Sequence, residues 1–127
     1  MEGIGRGVSS QAALLTERLI DFAVGVIDIV DALPENRLGN HIGSQLLRSG
    51  SSPAPNYAEA ISAESRRDFI HKVGVALKEL RETHVWLTIA RRKTLVMNTE
   101  LLGRVLNECN ELIAIFAASV ATAKKNL

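Results

Sequence analysis

Between Ser65 and Arg92 the residues Phe69, Val73, Ala76, Leu80, Thr83 and Leu87 recur at alternating spacings of four and three. That is the period of a helix laid along another helix, whereas a half-buried strand would need an apolar residue at every second position. A second set, Ile70, Leu77, Trp86 and Ile89, lies beside this seam. On a helix carrying this many charges, two apolar rows predict more than one packing surface, and hence self-association through the row a single bundle leaves over.

The remaining segments repeat the pattern. From Gln11 to Leu33, Leu15, Leu19, Phe22, Val26 and Val30 predict one long helix, with Met1–Ser10 as a flexible segment before it. Pro34-Glu-Asn then stops the chain, because proline disfavours helix in the residue before it and Asn36 can cap a new helix. This second helix is expected from about Asn36 through Ile42, Leu46 and Leu47. Pro53 and Pro55 remove two backbone donors, so it should kink before resuming from Asn56 to Ile61. Arg91-Arg-Lys-Thr is a basic helix end that complements the macrodipole. Asn98 or Thr99 can cap a last helix using Leu102, Val105, Leu106, Cys109, Leu112, Ile113, Phe116 and Val120. The expectation is all-α, an antiparallel up-down four-helix bundle forming a single domain over residues 1–127.

Composition agrees. The 127 residues are 46% hydrophobic but only 4% aromatic, so the core must be aliphatic, and 15 basic against 14 acidic side chains leave a formal charge of +1. Such a balance argues against a strong, uniform field for nucleic acid. Cys109 is a lone thiol in an apolar register, which excludes an internal disulfide framework and suits a cytoplasmic protein. The apolar runs are interrupted by Asp21, Asp28 and Asp31, so no membrane span is expected.

No reaction centre is recognisable. Di-metal bundle sites use paired Glu-x-x-His elements, but Glu79 and Glu82 stand five and two residues before His84, and the Asp68 and His71 pair has no second copy. Cys109 has no neighbour in sequence that would activate it. We therefore expect no enzyme, no cofactor and no metal. The polar residues of interest flank the apolar seams. Asn56 and Ser52 are expected to satisfy backbone groups orphaned by Pro53 and Pro55, while Glu59 and Glu79, with Glu82 nearby, are expected to meet Arg48, Lys72 or Arg81 in a partly buried network. For nucleic acid the candidate contacts are Arg66, Arg67, Arg91, Arg92 and Lys93, which a cyclic oligomer would repeat around its axis.

Three elements together carry a resemblance. Ser52, Asn56 and Glu59 form one signature; Ser65, Asp68 and Phe69 form a Ser-x-x-Asp-Phe element; Glu79 and Leu80 form a Glu-Leu element. With them the chain resembles the four-helix-bundle proteins encoded in intervening sequences of bacterial large-subunit ribosomal RNA genes, distantly related to the accessory variability determinants of diversity-generating retroelements. Tyr57 and Ala60 stand where that family often has Ile and Gly. The resemblance implies a homopentamer of bundles, and, through the retroelement relatives, RNA, DNA or a reverse transcriptase as partner. The expectation for function is a non-enzymatic homo-oligomeric interaction protein, with a purely structural oligomer as the alternative.

Overall fold

The computed structural model describes residues 2–127, with side chains described from residue 10 onward. Five helical stretches succeed one another: α1 (Glu2–Ala32), α2 (Arg37–Ser51), α3 (Pro53–Ala60), α4 (Arg66–Arg92) and α5 (Thr99–Lys125). The chain between α2 and α3 passes through Ser52, whose φ of −73° and ψ of −37° are themselves helical. The two are therefore one bent helix, and the architecture is the expected all-α four-helix bundle. The bend falls at Ser52 because Pro53 and Pro55 cannot donate to the carbonyls of Ser49 and Ser51. Helix α1 extends to the N-terminal side of the expected start at Gln11; the expected flexibility of residues 1–10 concerns side chains that lie almost wholly outside the described residues.

Local chemistry sets the boundaries. Asn36 caps α2 by accepting from the Gly39 amide at 2.8 Å, Ser65 caps α4 by accepting from Asp68 at 3.1 Å, and Asn98 caps α5 by accepting from Leu101 at 3.0 Å. The end of α4 closes differently. Leu95 donates to the Ala90 carbonyl and Thr94 to that of Arg91, a Schellman closure with Thr94 in the left-handed region at φ 53°.

In the bundle α1 packs on the α2–α3 column and on α5, while α4 packs on that column and on α5 from the other side; α1 and α4 stand diagonally. Every column contributes to one core, with Leu19, Phe22, Val26 and Ile29 from α1, Ile42 and Leu46 from α2, and Tyr57 from α3. Val73, Leu80 and Leu87 of α4 face Leu106, Cys109, Leu112 and Phe116 of α5 across the same interior. Tyr57 meets Phe116 edge to face at 5.5 Å.

The expected second packing surface on α4 is corrected here. Leu77, Trp86 and Ile89 are half-buried against the core rather than left over, and Phe69 is too; of the expected row Ile70 is half-buried but stands apart from that core. A bundle helix has two neighbours, so a wide apolar arc is filled from both sides within one copy. Helix α5 is long and apolar enough to cross a membrane by length and composition alone. Its inward row from Leu102 to Phe116 is taken up by the core, and Arg104, Glu108 and Glu111 lie along its flank.

Candidate interaction site

Arg48, in the last turn of α2, reaches across to α4, where Glu79 and Glu82 are three residues apart and so share a face. One guanidinium nitrogen donates to Glu79 at 2.9 Å, the other to Glu82, and Gln45 accepts a further bond at 3.2 Å. Glu82 also accepts from the Trp86 indole at 3.3 Å, and Trp86 in turn meets the His41 ring edge-on at 5.7 Å. Beneath this rim lies a fully buried polar pair. The Thr83 hydroxyl is 2.9 Å from Ser49 Oγ and 2.8 Å from the Glu79 carbonyl oxygen, so the α2–α4 contact grades from charged outside to hydroxyl inside.

The other residues expected in this network lie elsewhere. Lys72 donates to Glu59 at 2.6 Å across the α3–α4 contact, and that hydrogen bond raises the Lys72 pKa above its ordinary value. Arg81 is exposed and belongs to neither cluster. Asn56 does not rescue the carbonyls that the prolines orphan. Its side-chain amide donates to the Ser52 carbonyl at 3.0 Å and to the Ser52 hydroxyl at 2.9 Å, while its backbone amide already serves the same carbonyl. One residue of the bend is thus tied twice, because i to i+4 geometry brings Asn56 over Ser52 and not over Ser49 or Ser51.

Sequence reasoning missed the ion cluster that joins α1 to α5. Arg18 donates through Nε and Nη2 to both oxygens of Glu108 at 2.9 and 2.7 Å, and through Nη2 to Glu111 at 3.1 Å. These bonds raise the arginine pKa still further above its ordinary value. The available signal was an arginine one residue before the core position Leu19, together with two glutamates three apart on α5.

The candidate nucleic-acid contacts do not form one patch. Arg66 and Arg67 open α4, whereas Arg91, Arg92 and Lys93 close it, about 36 Å further along the axis. Lys124 and Lys125, in the last turn of antiparallel α5, join the Arg66 end. Tyr57 is buried, so it offers no face for a base. Cys109 is enclosed, its thiol donating to the Leu80 carbonyl at 3.3 Å, and burial pushes its pKa from 9.0 up to about 12. It stays protonated at neutral pH, which withholds the nucleophilic thiolate. Among the described residues no group of His, Cys, Asp and Glu is arranged to hold a metal ion.

Among the large hydrophobic side chains that a single copy leaves exposed, three form a row on α1. Ile20, Val24 and Ile27 are 42%, 51% and 39% exposed, at spacings that align them on the face turned away from the core.

Two comparisons bear on this architecture. A solved structure from Bacteroides thetaiotaomicron VPI-5482, a protein of unknown function from the S23 ribosomal protein family, superposes with a TM-score of 0.77 at 29% identity. The alignment covers 87% of this chain and 97% of that one. No curated protein matches the chain. The family model of the 23S rRNA-intervening sequence proteins matches residues 14–118, from the uncovered face of α1 to the last turns of α5, and the chain belongs to that family.

Proposed function

We propose that this protein is a non-enzymatic, homo-oligomeric interaction protein whose partner is nucleic acid or a nucleic-acid enzyme such as a reverse transcriptase. The observation that carries the reading is the row Ile20, Val24 and Ile27, aliphatic side chains aligned on the outside of one column of a bundle. Covering such a row with a second copy removes apolar surface from water, at roughly 25 cal/mol for each Å² buried. The family resemblance favours five copies. A ring would repeat both basic ends of α4 around its axis, giving two separated belts of Arg66/Arg67 and of Arg91/Arg92/Lys93. A phosphate backbone can follow either one. A cytoplasmic setting suits the single free thiol.

Sedimentation of the wild type and of Val24→Glu tests the assembly. The wild type should sediment as an oligomer and Val24→Glu as a smaller species, whereas a monomeric wild type at micromolar concentration would remove the reading. Titration of labelled single-stranded RNA and duplex DNA tests the partner. Binding should be weak, insensitive to sequence, steeply reduced by salt and diminished in an Arg91/Arg92→Ala variant. An oligomer that binds neither nucleic acid at low salt would favour the second reading, a purely structural oligomer, for which the same α1 row is the supporting observation.

A further inference from the structure

The seam between α1 and α5 is looser than that between α4 and α5. A solvent-facing furrow of about 740 Å³ runs along it, floored by Phe22 and Val105 and lined by two glycines, Gly25 on α1, which admits the Val105 side chain, and Gly103 on α5, which leaves open space. Both floor side chains are almost wholly buried, so the furrow is apolar at its base. On α5 it extends from Glu100 to Glu111, about 17 Å of helix. That shape is an elongated trough, suited to a peptide segment lying along the two helices.

The rim has a definite sign. Asp21, Glu100, Glu108 and Glu111 border it, against Arg104 on the lining and Arg18 already bound to Glu108 and Glu111. Four carboxylates face two guanidiniums, giving a local charge of −2 (2 − 4), on a chain whose formal charge is +1. A cationic ligand is therefore attracted to this furrow and not to the molecule as a whole. We infer that the α1–α5 furrow docks a basic amphipathic helix of a partner protein, its apolar side chains over Phe22, Gly25 and Gly103 and its lysines or arginines against Asp21, Glu100 and Glu111. This surface is separate from the basic belts and from the Ile20/Val24/Ile27 row, so it does not depend on the proposed assembly.

Gly103 supplies a clean block, because a Cβ there would meet nothing within 4 Å. Gly103→Trp fills the furrow while leaving the core intact, and removing a glycine from a helix favours folding. The probe is a fluorescein-labelled helical peptide of leucines spaced i, i+4 and i+7 among lysines, with a glutamate-for-lysine peptide as control. Anisotropy should report saturable binding of the lysine peptide, one per chain, and none of the control. Affinity should fall about tenfold or more between roughly 0.05 and 0.3 M NaCl, through screening of the rim. Gly103→Trp, with an unchanged helical melt, and Asp21→Lys/Glu100→Lys should each weaken it about tenfold or more, well above the effect of an ordinary surface change. Equal affinity for wild type and Gly103→Trp would overturn the inference, as would failure of the lysine peptide to bind. If Gly103→Trp instead lowers the sedimenting mass, the occupant is a second copy and the partner assignment is wrong. The Val24→Glu result remains the separate measure of the proposed assembly.

Discussion

Helices α4 and α1 sit diagonally in the same bundle, each with two neighbouring columns, and they use their apolar residues in opposite ways. Helix α4 has the more charged sequence, yet its side rows are drawn in, Leu77, Trp86 and Ile89 packing against the core that Val73, Leu80 and Leu87 form, and Val85 is left as a single exposed aliphatic rather than a row. Helix α1 also fills its inward face, with Leu19, Phe22, Val26 and Ile29, but keeps Ile20, Val24 and Ile27 outside. The difference lies first in where the rows point: Leu77 and Trp86 flank the inward seam of α4 within reach of its neighbours, whereas Ile20, Val24 and Ile27 lie on the face of α1 turned away from the core. Helix α4 is gripped by α2, α3 and α5, whereas α1 approaches α2 closely and leaves a furrow towards α5. An apolar row in a sequence therefore says that something covers it; its angle from the inward face of the helix decides whether that cover can come from the same chain.

The contrast can be broken most directly by truncating one side chain on each helix. Leu80→Ala, at a fully buried site, should cost about 2–5 kcal/mol in urea denaturation. Val24→Ala should cost less than about 0.5 kcal/mol under conditions in which the chain is monomeric. Comparable losses would mean that the α1 row is covered within one copy.

Thr83→Val tests the inner layer of the grip on α4, since it keeps the shape but strips the buried Ser49 hydroxyl of its partner. Leaving that group unsatisfied should cost about 1–3 kcal/mol. The Ser49→Ala/Thr83→Val double variant should lose less than the sum of the singles. Strict additivity would show that the 2.9 Å contact is not energetically coupled.

At the end of α4, Thr94→Gly should stabilise the protein by about 1 kcal/mol, because a β-branched residue is held at φ 53° where glycine is unstrained. A fall in the thermal midpoint would mean that the Thr94 side chain contributes more than its backbone costs.

The smallest expected effect compares carboxylates. Glu79→Ala should destabilise more than Glu111→Ala, with the difference at or below about 1 kcal/mol, since Arg48 is half-exposed and partly shielded by water. The Glu79 side chain is 13% exposed and that of Glu111 67%, and loss of Glu111 leaves Arg18 still bidentate on Glu108. Equal melting curves would remove Glu79 from the grip on α4.

The columns were legible because helical period, proline position and capping residues are local properties. Asn36, Ser65 and Asn98 stand within three residues of the amides they satisfy, and Pro53 fixes its own bend. The long-range pairing was legible only in part. Arg48 with Glu79 and Lys72 with Glu59 came from the expectation that the second and third helical segments are adjacent, with these polar residues flanking the apolar seam on each. Arg18 with Glu108 and Glu111 did not, because pairing α1 with α5 over 90 and 93 residues requires the relative rotation of two columns. Nothing in local spacing encodes that rotation. The same holds for α4's second row, whose fate depends on the distance to α5 and to the α2–α3 column.

Gly39 carries a consequence for how such a chain can change over time. A Cβ at this position would stand 1.8 Å from the Pro34 carbonyl oxygen, a backbone atom that cannot swing aside. The amide of Gly39 is meanwhile held by Asn36. The turn from Pro34 to Asn36 and the first turn of α2 are consequently one inheritable unit. Drift at Gly39 alone meets a steric wall, and lengthening the turn moves the wall and the cap together. Variation in this hairpin should come as the joint replacement of residues 34 to 39, while residues on the outer face of α2 are free to vary one at a time.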